Sequence, residues 1–243
     1  MSGHADHDQR PHDDDETLSQ VEGVVARLIA GPGRVLDLGC GAGRVGGMLA
    51  AAGHDVTGVD READHRDEFL ESIQGRGRFE HLDFTEAAGL RELPTGPFDA
   101  ILLLGNTLTT VRSPVVLRDL VRAVATRLDS EGVFAYDDFP FTGWSELTAG
   151  NWADGISEDG SMQMIWVPGE PEFVMRAGSE VDDRDLEPRP EERVLRLWSM
   201  SELNDAAHRA GLTAGGRDSA ASLVFHVHRN ENTGIGLEAG SGP

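Results

Sequence analysis

The chain has 243 residues, 39% of them hydrophobic, and a formal net charge of −22. That length supports one sizeable core with small appendages, and no apolar run reaches membrane-spanning length. So acidic a chain would repel nucleic acid, which needs a basic patch, and an anionic membrane surface is disfavoured for the same reason. All 21 basic residues are Arg, and the missing lysine excludes P-loop nucleotide binding, pyridoxal Schiff bases and dehydrogenases built on a Tyr/Lys pair. The single Cys40 excludes an intramolecular disulfide and fits a reducing compartment, so a cytoplasmic location is expected.

Residues 1–16 are polar and end in Asp13-Asp-Asp-Glu16, which reads as a solvated, disordered leader rather than a signal peptide. His4, His7 and His12 follow that composition and are not read as a metal site. From Thr17 to Ala30, apolar residues at 18, 21, 25, 28 and 29 make one helical face, and Gly31-Pro-Gly33 stops it.

Val35, Leu36 and Leu38 then form a buried strand. Gly39, Gly41 and Gly43 follow at alternate positions, and Val45, Met48 and Leu49 repeat at helical spacing. This is strand, glycine loop, helix. Such a loop lets a ligand approach bare backbone, and the helix start beyond it offers free N–H groups. Asp37 interrupts the apolar run, and a carboxylate there is unfavourable without a partner. Gly41-Ala-Gly43-Arg-Val-Gly46 also satisfies the dinucleotide fingerprint, with Asp60 downstream. A carboxylate beside the loop does not help a pyrophosphate, but it suits a ligand carrying an amino group.

The stretch Val35-Leu-Asp-Leu-Gly-Cys-Gly-Ala-Gly43 closely resembles the first motif of the class I S-adenosylmethionine-dependent methyltransferases. The resemblance implies that Gly39, Cys40, Gly41 and Gly43 pack against the cofactor and that Asp37 holds its amino end. Cys40 itself reads as a packing residue, since no base is nearby.

Val56–Asp60 is a second strand ending in an acid placed to accept from ribose hydroxyls, with Arg61 following it; the same Asp60 can cap the next helix. Residues 61–74 read as that helix. Arg78–Phe84 is a short third strand. By the resemblance, Asp83 there takes the adenine amino group and Leu82 or Phe84 flanks the ring; a plain turn role for Asp83 is the alternative. Phe98–Leu108 is the strongest strand and opens at Gly105-Asn106. The resemblance puts this bend near the amino acid end of the cofactor. The strand lacks a terminal acid, which argues against a metal-dependent catechol-type mechanism and against the acidic-aromatic motif of nucleic-acid amino methylases. Asp99 reads as an anchor of the strand start.

Ser113-Pro114 opens a helix carried on to Leu128, and Val133–Phe139 is a fifth strand. Asp137 and Tyr136 at its end, with Asp138, are the candidate general bases. From Pro140 to Arg196 the pattern changes to three antiparallel strands (Ser161–Val167, Glu172–Arg176, Glu192–Trp198) with several aromatics, read as an add-on covering the cleft; residues 178–191 read as a mobile loop. Ser199–Gly211 is a late helix with a capping box, and Leu212–Asp218 with Ser222–His228 a closing hairpin. His226 and His228 read as exposed-edge residues.

The expected architecture is therefore α/β: a doubly wound, seven-stranded, mostly parallel Rossmann-like sheet with its last strand antiparallel and a small antiparallel add-on. Its domain would run over 17–229 with a 140–196 lid insertion and a flexible tail over 230–243. The resemblance implies methyl transfer from S-adenosylmethionine to a small-molecule acceptor, without a metal, in a chain that could pair as a homodimer. A nicotinamide-dependent oxidoreductase and a non-catalytic cofactor-binding module are the alternatives.

Overall fold

The computed structural model describes residues 31–137, 155–157, 159–218 and 223–228, with Gly23 and Ile29. Gly23 is helical. The leader, most of the helix over 17–30, Asp138, the start of the add-on and the tail lie outside the described residues.

Two sheets are present among the described residues. The larger joins β1 (Arg34–Leu38), β2 (Asp55–Asp60), β3 (Gly77–His81), β4 (Phe98–Leu103), β5 (Leu128–Asp137), β9 (Leu212–Asp218) and β10 (Leu223–His228), in the order β3-β2-β1-β4-β5-β10-β9. The first five strands are parallel to one another, while β10 is antiparallel to both β5 and β9. The strand order reverses between β1 and β4, which opens a crevice at their carboxyl ends.

Alternation along the buried strands sorts side chains onto two layers. Leu36, Leu38, Ile101, Leu103, Phe134 and Tyr136 face one core. It is closed by Leu90 of α3 (Ala87–Glu92), Leu117 and Leu120 of α4 (Pro114–Ala125), and Leu203 of α5 (Met200–Arg209). Val35, Val56, Ala100, Leu102, Val133 and Ala135 face the other core, against Val45 and Leu49 of α1 (Arg44–Ala51) and Phe69 of α2 (Arg66–Ser72). Each fully buried leucine contributes about 2 kcal/mol. Asp37 and Asp137 belong by alternation to the second layer, and Cys40, just past the end of β1, packs there as well; the burial of Asp37 has to be accounted for by function or by partners.

Local chemistry sets the boundaries. The Val115 N–H donates to Ser113 Oγ at 3.2 Å, with Pro114 in the first turn of α4. Ser199 and Glu202 form a reciprocal capping box on α5. Asp99 Oδ2 accepts the Arg34 N–H at 2.7 Å and so ties the start of β4 to β1. β4 stops at Leu103, before the expected Leu108, because the chain turns at Gly105 and Asn106, both left-handed. β5 starts earlier than expected, at Leu128: α4 ends at Ala125, and Leu128 pairs with Phe98 of β4.

The smaller sheet is antiparallel: β6 (Met162–Trp166), β7 (Glu172–Ala177) and a two-residue β8 (Leu195–Arg196). Trp198 Nε1 donates to the Val111 carbonyl at 2.9 Å, and Arg112 forms an ion pair with Glu172 at 2.7 Å. These contacts fasten the add-on to the segment after β4. The loop over 178–191, expected to be mobile, is a pinned strap. Arg176, 1% exposed, pairs with Glu192 and donates to the carbonyls of Asp185 (2.7 Å) and Glu187 (2.9 Å). Gln163 Nε2 donates to the Asp182 carbonyl at 2.8 Å.

Candidate active site

The crevice is built from the ends of β1, β2, β4 and β5. After β1, the N–H groups of Gly39 and Cys40 both donate to the Val59 carbonyl, at 2.8 and 3.2 Å, which locks the glycine loop against β2. Gly39, Gly41 and Gly43 all have positive φ. They are bare for different reasons. A Cβ at Gly39 would collide with Thr107, and one at Gly43 with Ser72 and Phe69. A Cβ at Gly41 would meet only His65 Nδ1, at 3.9 Å. Protein packing therefore explains two of the glycines. The space above Gly41 is left for something else.

Asp37 is 2% exposed, and its Oδ2 has no hydrogen-bond partner among the described residues. Burial, reinforced by Asp60 and opposed by Arg44, pushes its carboxyl up to about 7. An orphaned buried carboxylate beside bare backbone lacks a cationic donor. The α-amino group of S-adenosylmethionine fits this vacancy in chemistry, and a pyrophosphate does not. Cys40 is buried, and burial with the negative charge of Asp37 and Asp60 drives its thiol well above the ordinary range. It is a packing residue without nucleophilic character.

Asp60 ends β2. Its Oδ2 accepts the Gly41 N–H at 2.8 Å and its Oδ1 the Glu62 N–H at 2.9 Å. Each oxygen keeps a further lone pair for a hydroxyl donor. Arg61 turns its side chain to Glu62 at 3.1 Å, while its carbonyl meets His81 Nε2 at 2.9 Å. Arg61, Glu62, Leu82 and Asp83 line a cleft of about 440 Å³ that continues over Glu86 and Gly89. Asp83 lies just beyond β3, and its Oδ1 accepts both the backbone and the hydroxyl of Thr85, at 2.9 and 2.6 Å. It is thus a turn residue with one oxygen already engaged. Of the two apolar neighbours expected to flank a ring, Leu82 presents its side chain to the cleft. Phe84 is 4% exposed and packs into the first core, so its side chain is a core element.

At the other end of the crevice, Asn106 donates its N–H to both Asp137 oxygens, at 2.9 and 3.1 Å. Burial pushes Asp137 up to about 6, against the opposing backbone donors of Asn106 and Gly105 and the charge of Arg44. Tyr136 requires a correction. One residue before Asp137, it points to the opposite sheet face, is 1% exposed, and meets His226 Nε2 at 2.9 Å inside the first core. It is removed from the crevice as a base. His226 is 1% exposed as well, because β10 lies between β5 and β9 and is not an edge strand. Asp138 lies outside the described residues. The sequence reading did not single out His65 or Arg44, both of which bear on the crevice acids. His65 falls within a run of charged residues that reads as helix, and no signal in the sequence marks its approach to Asp60.

A reversed sheet order with β10 inserted beside β5, and a glycine loop flanked by Asp37 and Asp60, make up the Rossmann-like methyltransferase fold that the sequence resemblance implied. Residues 35–132 match the family described as "Methyltransferase domain". Over 107 residues the chain is 27% identical to YqeM of Bacillus subtilis, a provisionally assigned methyltransferase; the match covers 43% of this chain and 42% of that protein. Among solved structures, the sugar N-methyltransferase KedS8 from Streptoalloteichus is similar with a TM-score of 0.64, 18% identity, and 91% and 90% of the two chains covered. The CcbJ methyltransferase from Streptomyces caelestis gives 0.63, 19%, 90% and 99%. The amino pentose methyltransferase CalS10 from Micromonospora echinaspora, solved with S-adenosylmethionine bound, gives 0.60, 16%, 90% and 93%. At these identities the likeness carries the fold.

Proposed function

We propose that the protein transfers a methyl group from S-adenosylmethionine to a small-molecule acceptor. The observation that carries the reading is the buried Asp37 oxygen with no partner among the described residues, set beside the open backbone of Gly41. In this reading Asp37 receives the amino group and Asp60 the ribose hydroxyls. Leu82 and Asp83 hold the base, and the Gly105–Asn106 turn borders the methyl-bearing end. When bound, the cofactor supplies an electrophilic methyl on a positively charged sulfur. The protein's share is alignment of an acceptor atom with that methyl and exclusion of water.

Asp137, whose carboxylate is already spent on the Asn106 backbone, serves the turn and is not proposed as the base. The small-molecule class is supported by the net charge of −22, which opposes a polyanionic substrate, and by the add-on sheet fastened next to the β4 turn. Among the described residues no helix is long and apolar enough to cross a membrane. The nicotinamide alternative is weakened by Asp37 and by Gly46, where a Cβ would lie 2.8 Å from Phe69, so this third fingerprint glycine is accounted for by packing.

Titration calorimetry with S-adenosylmethionine, S-adenosylhomocysteine and NAD(H) tests the reading. Heat with the first two and none with the third is expected; the reverse pattern defeats it. Turnover of methyl-labelled cofactor against small amines and alcohols then separates an enzyme from a binding module.

A further inference from the structure

We infer that His65 is a cofactor-binding residue that shares a ribose hydroxyl with Asp60. The inference rests on the proposed S-adenosylmethionine reading and adds a residue to it. His65 sits in the single 3-10 turn Ala63–His65 between β2 and α2. Its ring overhangs the glycine loop: a Cβ on Gly41 would lie 3.9 Å from Nδ1, nearer than any other neighbour. Its Nδ1 is buried and has no hydrogen-bond partner among the described residues, although the side chain as a whole is 34% exposed. One of the two ring nitrogens is thus shut off from solvent in a side chain that is otherwise partly exposed, and a buried polar atom of this kind calls for a partner.

The nearest acid is Asp60, with Oδ1 at 3.8 Å from Nδ1. That separation is too long for a direct hydrogen bond. A hydroxyl oxygen about 2.8 Å from each atom would bridge them. Such a group would donate to Asp60 Oδ1, which already accepts the Glu62 N–H, and would accept from Nδ1–H. Asp60 Oδ2, fixed by Gly41, stays available for the neighbouring hydroxyl. A vicinal diol therefore satisfies three groups at once: both Asp60 oxygens and the orphaned imidazole nitrogen. A monohydroxy ligand would leave one of them unserved.

The test is calorimetric titration of S-adenosylhomocysteine, and of its two deoxy analogues lacking either ribose hydroxyl, into wild type, His65→Leu and His65→Asn. Asn places an amide nitrogen close to the Nδ1 position and keeps the donor. His65→Leu should weaken S-adenosylhomocysteine about tenfold, the worth of one such bond. It should change the affinity for the analogue lacking the bridging hydroxyl by less than about twofold, as a broken coupling requires. His65→Asn should recover most of the loss. Equal binding of S-adenosylhomocysteine by wild type and His65→Leu overturns the assignment. So does an equal loss across all three ligands accompanied by a lower melting temperature of ligand-free His65→Leu, which marks a structural role. Failure of wild type to bind S-adenosylhomocysteine is distinguishable from both, and removes the underlying reading together with this one.

Discussion

The Asp137 carboxylate takes the Asn106 backbone N–H between its two oxygens, at 2.9 and 3.1 Å, and so welds the end of β5 to the turn that ends β4. Gly105 and Asn106 are consecutive left-handed residues, and successive N–H groups in such a turn form a small anion-binding concavity. Here the anion is supplied by the chain itself. Asp137→Ala should loosen the turn and weaken S-adenosylhomocysteine about five- to tenfold, while Asp137→Asn, which keeps one acceptor oxygen, should lose less. The turnover number should follow cofactor saturation. A general base would behave otherwise: Asp137→Asn would bind normally and lose about 10²–10⁴ in turnover.

Asp37 exacts stability from the ligand-free protein. Its carboxyl is raised to about 7 by burial, with Asp60 adding to the effect, whereas in the unfolded chain it titrates near the ordinary 3.8. Between those values the folded state binds a proton that the unfolded state has lost. The contribution of this group to stability is therefore full at low pH and declines as pH rises through about 7. Asp37→Asn removes the buried charge. Ligand-free Asp37→Asn should melt higher than wild type at pH 8, by an amount on the order of a few kcal/mol, and the gain should shrink toward pH 5. The same substitution should weaken cofactor binding more than about tenfold. Thermal melts across pH, paired with calorimetry, check both halves.

The glycine loop separates packing from ligand approach. Gly43→Ala drives a Cβ into Ser72 and Phe69 and should destabilise the protein by about 1–3 kcal/mol. Gly41→Ala has open space and a φ of +51°, so its stability loss should stay near the left-handed penalty of about 1–2 kcal/mol. It should nonetheless weaken S-adenosylhomocysteine at least as much as Gly43→Ala does among the variants that fold. Denaturant melts and binding isotherms of the two variants report this crossing of effects.

Tyr136 and His226 form a buried polar pair within the first core, and burial pushes the His226 imidazole down toward its neutral form. Tyr136→Phe leaves His226 Nε2 without its partner and should cost about 1–3 kcal/mol in stability. Turnover by the folded variant should match wild type. A loss of turnover without loss of stability would return Tyr136 to the active site.

The parallel sheet, the glycine loop and the acid ending β2 were legible because they are local: apolar runs of strand length, glycines at alternate positions, a carboxylate closing the second strand. The capping box at Ser199 and Glu202 was legible for the same reason. What escaped the sequence depends on pairing across long separations. His226 looked like an edge residue because nothing in its own strand says that β10 slots between β5 and β9. Residues 178–191 looked mobile because they are charged and broken by proline, yet they are folded over the buried Arg176, whose partners lie 9 to 16 positions away. Tyr136 and Asp137 looked equivalent as neighbours at a strand end, and only the pleat, which sends them to opposite layers, tells them apart. His65 needed the position of Asp60 in space, not its distance in sequence.

The account stands on Asp37 as the seat of a cationic group, and proton release on binding measures that most directly. Calorimetry of S-adenosylhomocysteine at pH 7, in two buffers of different ionisation heat, reads the number of protons exchanged. With Asp37 at about 7, wild type should release on the order of half a proton as the arriving amino group fixes the carboxylate, and Asp37→Asn should release measurably less while binding more weakly. Binding with the same proton count in both proteins, or undiminished affinity in Asp37→Asn, would contradict the account.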